Sequence, residues 1–465
     1  MKKILIVGAG ASGLSAAVTA AEGGASVTVL ERSASPGGNG RFAEGVFAAG
    51  SALQRRLNID AQPEKLFREA MDYSHWRADA RLVRTLIDAS GGTVDWLMGL
   101  GVPFCRVIHH MVNQSPEVFH MTDRSPSGKY VVQALLDRAA ALGVEIRTGV
   151  RARRLLMENG RVCGVETEAG ERFTADGVLL ATGGMAGNPA LIRRLMPAFE
   201  PEHFLHGRGI YHDGDGVTLA EQAGAEPVSD LAIEGAGPVF SGHGPVGALV
   251  RSEEAVWVNI LGERFCDESI VSDFIFGQNA VARQPEKRCF AIFDDALVQR
   301  LMDSAPGVMA PMDAKDNGYA MLRRALDKAV EDGLLFRADN PEALAEAAGL
   351  DAGTLADTVR GYNAACAAGE DAVFGKPRRC LLALDRAPFY AARAGMDMIT
   401  VHGGVRTDSR MRVLDGAWKP IGGLWCAGID VSGVDSGDYS VMLSGHAFGF
   451  SLAGGRLAAR DMLGL

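Results

Sequence analysis

Three glycines near the start of the chain have the spacing of a phosphate-binding turn. Gly8, Gly10 and Gly13 form Gly-x-Gly-x-x-Gly within "VGAGASGLSAA". The first glycine serves the tight turn, the second lets the backbone approach a pyrophosphate, and the third allows close helix packing. Glu31 follows at the position where a carboxylate can bind a ribose hydroxyl and repel a 2′-phosphate. These four residues predict a dinucleotide site.

The surrounding sequence predicts the strand–helix–strand unit that such a turn requires. The apolar run Ile4–Val7 is typical of a buried parallel strand. Alanines at helical spacing follow the glycines, and the apolar run Val27–Leu30 predicts a second strand that ends at Glu31. The helix begins at the turn, so its first N–H groups face the bound phosphates. A lone glycine pattern is weak evidence, but here the pattern, the helix, both strands and the acid agree.

Composition excludes several other classes of function. The chain has 465 residues, of which 47% are hydrophobic and 22% charged, and its formal net charge is −10. The length predicts about two to three domains, and the acidic balance argues against nucleic acid or an anionic membrane as a partner. The cysteines are widely spaced without Cys-x-x-Cys, which argues against iron–sulfur and c-type haem sites. The sequence shows neither a membrane-spanning run nor a signal peptide, so we expect a cytoplasmic protein.

Three later segments favour FAD over NAD as the dinucleotide. "SPGGNGRFAEG" places Gly38 and Asn39 where a simple NAD domain would begin its next helix. "GVLLATGG" and "GGLWCAGID" are further apolar strands, and each ends in a turn of small residues. The helical segment "LSGHAFGFSLAGGRLAARDML" follows the second of them. A last strand and helix of this kind are typical of FAD proteins with two dinucleotide-binding domains.

The order and spacing of these motifs resemble the flavoprotein superfamily of fumarate reductases, succinate dehydrogenases, urocanate reductases and 3-ketosteroid dehydrogenases. The matching segments run almost from end to end and include "GAGASGLSAA", "GRVCGVE", "LLATGG", "HDGDGVTLAEQAGA", "VNILGERFCDE", "YNAACAAGEDAVFGK", "HGGVRTDSRMRV" and "GLWCAGID". The resemblance implies an α/β fold, in which a Rossmann-like FAD-binding domain is interrupted by an inserted α+β capping domain. We expect residues 1–235 and 395–465 to form the FAD-binding domain. Residues 236–394 would form the cap, which closes over the flavin and excludes water.

The resemblance also assigns the residues that hold FAD. No histidine lies in the first glycine turn or in "GGN", so we expect FAD to be bound non-covalently. A second glycine turn within the strand–helix unit of a dedicated NAD domain is missing, so a separate electron-donor protein is expected. The expected FAD contacts are Gly8, Gly10, Ala11, Ser12, Gly13, Glu31, Arg32, Gly38, Asn39, Ala152, Ala181, Thr182, Gly183, Asp215, Gly403, Gly428, Asp430, Gly445, Ala447 and Phe448.

The charged groups that fumarate reductases use are missing at the matching positions. These enzymes protonate their substrate with an arginine and clamp two carboxylates with other arginines and histidines, which suits bidentate guanidinium geometry. "GERFCDESIVSD" resembles the segment that leads to the proton-donor arginine, but Ser272 stands in its place. Gly237 and Met442 stand roughly where a clamping histidine and arginine are expected. Losing one such donor typically costs about 10²–10³ in rate, so we expect neither fumarate nor succinate as the substrate.

Tyr439, Asp438 and His402 are the remaining candidates for catalysis. Asp438 and Tyr439 directly precede the helix that the resemblance places against the flavin. Ketosteroid dehydrogenases have a tyrosine in the comparable segment, where it polarises a carbonyl or relays a proton. The alternative is a core tyrosine with a bonded hydroxyl. His402, in "TVHGGV", lies in a loop that the superfamily places beside the flavin, and a packed structural histidine is the equal alternative.

Other polar groups have weaker support. His206, Tyr211 and His212 flank a loop that approaches the flavin, and solvated side chains are the favoured interpretation. The pair His109–His110 is adjacent in sequence, so the two rings diverge and no metal site is expected. Cys266 stands beside two acids, which disfavour its thiolate and argue against a reactive cysteine.

Together these features predict an FAD-dependent oxidoreductase. Hydride would move between flavin N5 and a carbon of a C=C or C–C bond that a carbonyl or carboxyl group activates. The substrate, a small molecule, would carry less charge than a dicarboxylate. Two alternatives remain open. A non-catalytic or electron-relay flavoprotein subunit is favoured by the missing arginines and disfavoured by the expected cap. A 3-ketosteroid-type dehydrogenase is favoured by the tyrosine segment.

Overall fold

The computed structural model describes residues 1–109, 117–207, 212–242, 244–304 and 321–465. These residues divide into two units. The first unit contains the described residues of 1–199, 208–234 and 400–465, and the second contains those of 200–207 and 235–399. No helix in the described ranges combines the length and the apolar character needed to cross a membrane.

The strands are numbered in chain order across both units. They are β1 Lys3–Val7, β2 Ser26–Glu31, β3 Val46–Phe47, β4 Phe104–Ile108, β5 Phe119–Thr122, β6 Glu145–Thr148, β7 Ala152–Glu158, β8 Arg161–Thr167, β9 Arg172–Thr174, β10 Gly177–Leu180, β11 Phe204–Gly207, β12 Ala232–Glu234, β13 Val239–Phe240, β14 Val256–Val258, β15 Arg288–Asp294, β16 Leu335–Ala338, β17 Phe389–Met398, β18 Thr400–His402, β19 Arg412–Leu414, β20 Pro420–Cys426 and β21 Gly437–Asp438.

The helices of the described residues are numbered in the same way. They are α1 Ala11–Glu22, α2 Ala52–Arg56, α3 Pro63–Tyr73, α4 Ala80–Gly99, α5 Ser127–Ala141, α6 Pro189–Leu195, α7 Asp215–Gln222, α8 Gly244–Val250, α9 Phe274–Ala282, α10 Asp295–Met302, α11 Leu322–Glu331, α12 Pro341–Ala348, α13 Ala352–Ala368 and α14 His446–Leu463.

A mainly parallel sheet forms the centre of the first unit. Its strand order is β19–β20–β10–β1–β2–β6, and β19 alone in this order runs antiparallel to its neighbour. β1 is a central strand with buried apolar residues, and it is hydrogen bonded on both sides, with Ile4 opposite Val27 and Gly177. The carboxyl ends of β1, β10 and β20 therefore meet at one edge, where ligands bind in open α/β sheets. The predicted Rossmann-like sheet is confirmed.

Small residues let the last helix, α14, approach the first helix, α1, very closely. A Cβ added at Gly455 would lie 2.1 Å from the backbone oxygen of Ser12. The hydroxyl of Ser15 donates a hydrogen bond across the contact to the Leu452 carbonyl at 2.9 Å. The glycine turn at the start of α1 is thus supported from behind by the C-terminal part of the chain.

A small three-stranded sheet brings three distant segments of the first unit together. β12 lies between β18 and β21. Ala232 pairs with His402 in β18, and Ile233 pairs with Asp438 in β21. Two of the residues that the sequence predicts for catalysis are therefore placed beside β12, whose last residue is Glu234.

The second unit has its own, largely antiparallel sheet. Its order is β11–β17–β15–β14, and β13 and β16 also pair with the long strand β17. A core of apolar residues from β14, β15, α12 and α13 packs on this sheet, including Val256, Ile292, Leu344 and Leu355.

A buried ion network explains the "GERFCDE" and "GEDAVFGK" segments, which both belong to the second unit. Arg264 donates two hydrogen bonds to Glu268, each of 2.8 Å, and its remaining nitrogen lies 2.8 Å from Asp371. Lys376 lies 3.1 Å from Glu268, and both side chains are fully buried. Burial lowers the pKa of Arg264, but the bonds to Glu268 and Asp371 outweigh burial and raise it. These segments therefore hold the second unit together through paired buried charges.

Replacing Gly455 tests the helix contact. Gly455→Ala should lower the free energy of unfolding by about 1–3 kcal/mol, because the new methyl group overlaps backbone. Gly92→Ala is the matched control, since an added Cβ there meets no atom within 4 Å. The control should be neutral or stabilising by up to about 1 kcal/mol, as expected for helix propensity. Urea denaturation followed by circular dichroism measures both changes, and equal effects would contradict the packing described.

Replacing Glu268 tests the ion network. Glu268→Gln leaves the cations of Arg264 and Lys376 short of one anion, so it should cost about 3–5 kcal/mol of stability. Glu331→Gln removes a carboxylate whose side chain is 71% exposed and should change stability by less than about 0.5 kcal/mol. Chemical denaturation of the two variants gives the comparison. A loss of similar size in both would show that the network contributes nothing specific.

Candidate functional site

The three glycines of the first turn have three different surroundings. Gly8 has a φ of +107°, and an added Cβ would lie 2.2 Å from the Ala181 carbonyl oxygen. A Cβ at Gly13 would lie 1.9 Å from the Gly8 oxygen. Gly10, in contrast, faces open space, because a Cβ built there meets no described atom within 4 Å. The first and third glycines therefore permit the close turn, and the second leaves room for a ligand.

The carboxylate of Glu31 is fixed beside this turn at the end of β2. One of its oxygens accepts a hydrogen bond from the Ala9 N–H and the other from the Ser33 N–H, both at 2.8 Å. These backbone bonds orient the side chain. A carboxylate held in this way suits recognition of a ribose hydroxyl, as the sequence predicts.

Arg32 and Asp215, two further predicted FAD contacts, belong to an ion-pair cluster. Arg32 Nη1 lies 2.6 Å from Asp213 and 3.4 Å from Asp215. Arg151, directly before Ala152 and β7, donates bonds of 3.0 and 2.7 Å to the two Asp215 oxygens. The bond to Asp215 raises the pKa of Arg151. The cluster joins the segments before α7, after β2 and before β7.

Asp430 connects the turns that follow β10 and β20. Its buried carboxylate accepts hydrogen bonds from the N–H groups of Thr182, Gly183 and Gly184, each at 3.0 Å, and from the Thr182 hydroxyl at 2.8 Å. Burial raises the pKa of Asp430, and these hydrogen bonds oppose the rise. Two of the segments predicted to contact FAD are therefore locked to each other by one side chain.

The "GGN" segment lies against the glycine turn. A Cβ added at Gly38 would lie 3.2 Å from the Gly10 Cα. The Asn39 side-chain nitrogen lies 2.5 Å from Nε2 of His212. Burial lowers the pKa of His212 to about 4, so this ring is neutral at pH 7. The prediction of a solvated side chain is therefore wrong for His212, which is only 8% exposed.

The remaining predicted FAD contacts occupy turns of the same unit. Gly403 follows β18 with a φ of +112°, and Gly428 follows β20 with a φ of +91°. Gly445, with a φ of +82°, directly precedes α14. Ala447 and Phe448 lie in the first turn of that helix.

These observations fit a bound dinucleotide. Gly10 opens on free space between the tightly enclosed Gly8 and Gly13. Gly10 is also the residue before α1, where it offers no side chain to cap the first N–H groups of the helix. Such N–H groups bind anions such as a pyrophosphate. The glycine turn and Glu31 would hold FAD, and Asp430 would keep the turns after β10 and β20 in place beside them.

Four ionisable side chains form a second centre in the first unit, which we name the histidine–carboxylate cluster: Glu234, His402, Asp435 and His446. His402 Nδ1 lies 2.8 Å from Asp435 Oδ2, and His402 Nε2 lies 3.3 Å from Glu234 Oε2. His446 Nε2 lies 2.9 and 3.1 Å from the two Asp435 oxygens. Asp435 thus links the loop after β20 to β18 and α14.

The partners determine which nitrogens carry hydrogen. His446 Nδ1 lies 3.0 Å from the Leu443 carbonyl oxygen and its Nε2 lies 2.9 Å from Asp435, so each nitrogen has an acceptor oxygen within reach. Burial lowers the pKa of His402, but hydrogen bonds to Asp435 and Glu234 outweigh burial and raise it to about 9. Burial raises the pKa of Asp435, but the two histidines outweigh burial and hold it well below its usual range. The cluster therefore pairs a protonated His402 with an ionised Asp435 near pH 7.

The ring of Tyr439 packs on this cluster. It stacks on His446 with ring centroids 4.4 Å apart and meets the edge of His402 at 5.1 Å. Burial, followed by the charge of Glu234, raises the pKa of Tyr439, so its hydroxyl keeps its proton. Asp438, the neighbouring predicted residue, is half-buried in β21.

The same geometry bears on metal binding. His402, Asp435 and His446 each place one possible ligand atom within 4.8 Å of the others. Both imidazole rings are within hydrogen-bond distance of Asp435. These hydrogen bonds explain why the three atoms lie close together, and no bound ion is needed to explain it. The sequence analysis expected no metal site at the adjacent pair His109–His110. His109 is exposed, and His110 lies outside the described residues.

The positions where fumarate reductases have charged groups are divided between the two units. Ser272 ends a 3₁₀ turn, Glu268–Ser272, in the second unit. Gly237 belongs to the second unit as well, where an added Cβ would lie 2.6 Å from the Gln278 Cα. Met442 lies in the first unit, within the 3₁₀ turn Val441–Leu443.

Three further sequence interpretations concern single side chains. Burial, followed by the charge of Glu268, raises the pKa of Cys266, so burial contributes more than the adjacent acids from which the sequence prediction was drawn. Tyr211 lies outside the described residues, and the side chain of His206 is not described.

A second Gly-x-Gly-x-x-Gly, at Gly242, Gly244 and Gly247, does occur between a strand and a helix. The preceding strand, β13, has two residues and pairs antiparallel with β17, and the helix α8 has seven residues. A dinucleotide unit requires a parallel strand–helix–strand arrangement. This glycine spacing therefore does not form one.

Sequence reasoning missed three members of the histidine–carboxylate cluster: Glu234, Asp435 and His446. Their partners are distant in sequence, since Glu234 and His402 are 168 positions apart. The available signal was weak. Asp435 and His446 are single ionisable residues within runs of Gly, Ser and Val that read as tight turns.

Comparisons with known proteins agree with this geometry. The model of the FAD binding domain family matches residues 3–438. A vinyl phenol reductase of Lactiplantibacillus plantarum is 30% identical over 98% of this chain and 95% of its own length. The open conformation of a flavocytochrome c3 fumarate reductase aligns with a TM-score of 0.75 and 25% identity, covering 100% of this chain and 78% of its own.

A further solved structure supports the fold alone. The 3-ketosteroid-Δ4-(5α)-dehydrogenase of Rhodococcus jostii RHA1 aligns with a TM-score of 0.76 and 24% identity, covering 99% of this chain and 97% of its own. The predicted resemblance and the predicted fold class are both confirmed by these matches. The chain belongs to the FAD binding domain family and is an FAD-dependent oxidoreductase.

Proposed function

We propose that this protein reduces a C=C bond conjugated with a carbonyl, carboxyl or hydroxyaryl group. The histidine–carboxylate cluster carries this proposal, because it offers proton donors and acceptors without the excess positive charge that a dicarboxylate requires. The similarity to a vinyl phenol reductase supports a substrate of low charge. A narrow cavity beside the cluster has mainly apolar walls, including Met411, Val434 and Phe450, and agrees with this class.

The residues divide the work between cofactor and substrate. The glycine turn, Glu31 and Asp430 hold FAD without a covalent bond. When bound in its reduced form, FAD supplies a hydride. His402, protonated at both nitrogens, is the proton source of the site, and the Tyr439 hydroxyl orients a polar group of the substrate. Residues 236–394 are proposed as the inserted capping domain.

The setting of the enzyme is also a proposal. Electrons would come from a separate donor protein. The cytoplasm is the proposed location, since widely spaced cysteines suit a reducing compartment.

A 3-ketosteroid-type dehydrogenase is the second candidate. The buried Tyr439, whose hydroxyl stays protonated beside His402, is the observation that favours it. Such an enzyme would take hydride from a saturated ketone instead of delivering it to an alkene.

Anaerobic mixing experiments test the proposed function. The photoreduced protein should be reoxidised within seconds by an enone, an enoate or a 4-vinylphenol, and not by fumarate. Flavin absorbance near 450 nm measures the reaction, and free reduced FAD is the control. Oxidised protein that is bleached by a saturated 3-ketosteroid would favour the second candidate. Reoxidation by redox proteins alone would contradict both and support an electron-relay subunit.

The placement of FAD against the glycine turn has a separate test at Gly10. Gly10→Val should fold, because the space around this glycine is open. It should purify colourless, because the new side chain fills the space that FAD would occupy. Gly92→Ala is the control that should stay yellow. Flavin content per chain and the far-ultraviolet circular dichroism spectrum give the result. Stoichiometric flavin in folded Gly10→Val would contradict the placement of FAD.

A further inference from the structure

The members of the histidine–carboxylate cluster differ sharply in their exposure. The side chains of Asp435 and His446 are 0% and 1% exposed, and that of His402 is 5% exposed. The Glu234 side chain is 19% exposed, the largest value of the four. A proton that enters or leaves the cluster therefore has its most accessible group in Glu234.

The two hydrogen bonds of His402 also differ. The bond to Asp435 is short, at 2.8 Å, and lies in the fully buried part of the cluster. The bond to Glu234 is longer, at 3.3 Å, and lies at the exposed end. Both ring nitrogens are thus occupied, so His402 contacts a substrate only if one of these bonds breaks. Glu234 can accept the Nε2 hydrogen without such a rearrangement.

The other charged and titratable groups around His402 fix its state. Tyr439, in the segment before α14, and His446, the first residue of that helix, contact its ring. His212 is neutral, because burial lowers its pKa to about 4. With Asp435 and Glu234 as its two acceptors, His402 keeps its proton up to about pH 9. Above that pH the His402 imidazole is neutral and has no proton to pass to Glu234.

We propose that Glu234 is the catalytic acid of the site, that His402 is its proton reservoir, and that Asp435 is the positioning residue that holds His402. This inference rests on the proposed function. In each reduction one alkene carbon gains a hydride from reduced FAD, and the other gains a proton from Glu234. Glu234 takes that proton from His402 Nε2, and a solvent proton restores His402 through Glu234. The sum is one hydride and one proton added across the C=C bond.

The test uses FAD-loaded wild type, Glu234→Gln and Glu226→Gln in single-turnover reoxidation with the best acceptor found. Glu234→Gln keeps the shape of the side chain but cannot carry a proton, so its rate should fall about 100-fold or more. Its flavin content and its reaction with oxygen should stay unchanged. Glu226→Gln is the control, since that side chain is 64% exposed in another loop of the first unit.

The pH profile separates catalysis from structure. The wild-type rate should fall above about pH 9 as His402 loses its proton. The remaining activity of Glu234→Gln should fall at a lower pH, because His402 has lost one of the two carboxylates that raise its pKa. Acetate or formate should restore part of the rate of Glu234→Ala by supplying a small acid. Should Glu234→Gln lose its flavin, Glu234→Asp carries the test and should retain measurable rate with the same pH limit as wild type.

Each contrary outcome has a distinct meaning. An unchanged rate in Glu234→Gln, beside a reactive wild type, would overturn the role of Glu234 alone. A wild type that no alkene reoxidises would overturn the proposed function and this inference with it. One equivalent of transition metal in the purified protein, lost in His446→Gln, would also overturn the inference, because the imidazoles would then bind an ion instead of hydrogen.

Discussion

The buried carboxylate of Asp435 sets the condition that the rest of the candidate site must satisfy. A charge without exposure is tolerated only when hydrogen bonds and an opposite charge compensate it. Two imidazoles and the Ser440 N–H supply that compensation from different parts of the chain. The protonated His402 then requires an acceptor at its second nitrogen, and Glu234 provides it. The presence of each group follows from the one before it.

Charge balance also explains how this site differs from that of a fumarate reductase. The positions of the clamping and proton-donating residues hold Ser272, Gly237 and Met442, which are all uncharged. The histidine–carboxylate cluster of the first unit instead contains two imidazoles and two carboxylates. The proposed substrate, neutral or singly charged, suits a centre without the cluster of cations that a dicarboxylate requires. The frame of the superfamily is therefore kept while the electrostatic character of its centre changes.

The sequence predicted what depends on neighbouring residues. The glycine turn, the strand before it and Glu31 lie within the first 31 residues, and their spacing alone determines how they fold together. The strand before Asp430 was also expected, because it carries a strong apolar pattern. Local chemistry of this kind follows from the order of the residues along the chain.

Long-range contacts could not be read in the same way. Glu234, Asp435 and His446 meet only because β12 pairs with β18 and β21. The "GERF" segment is another case, since residues that resemble the approach to a proton-donor arginine form a buried ion network with Asp371 and Lys376. The second glycine pattern, at Gly242–Gly247, likewise has the spacing of a nucleotide turn without its parallel sheet. The type of a side chain indicates what chemistry it could perform, but the residues that it contacts in the folded chain determine its role.

The contact between α1 and α14 has a consequence for biosynthesis. The ribosome releases the glycine turn early, but Asp430 and α14 follow it by more than 400 positions. At about 5–20 residues per second, the segments that complete the FAD site are synthesised on the order of tens of seconds after the glycine turn. Flavin therefore has no finished binding site until the segment with Asp430 and α14 has been synthesised. Loading is a late event in the folding of the first unit.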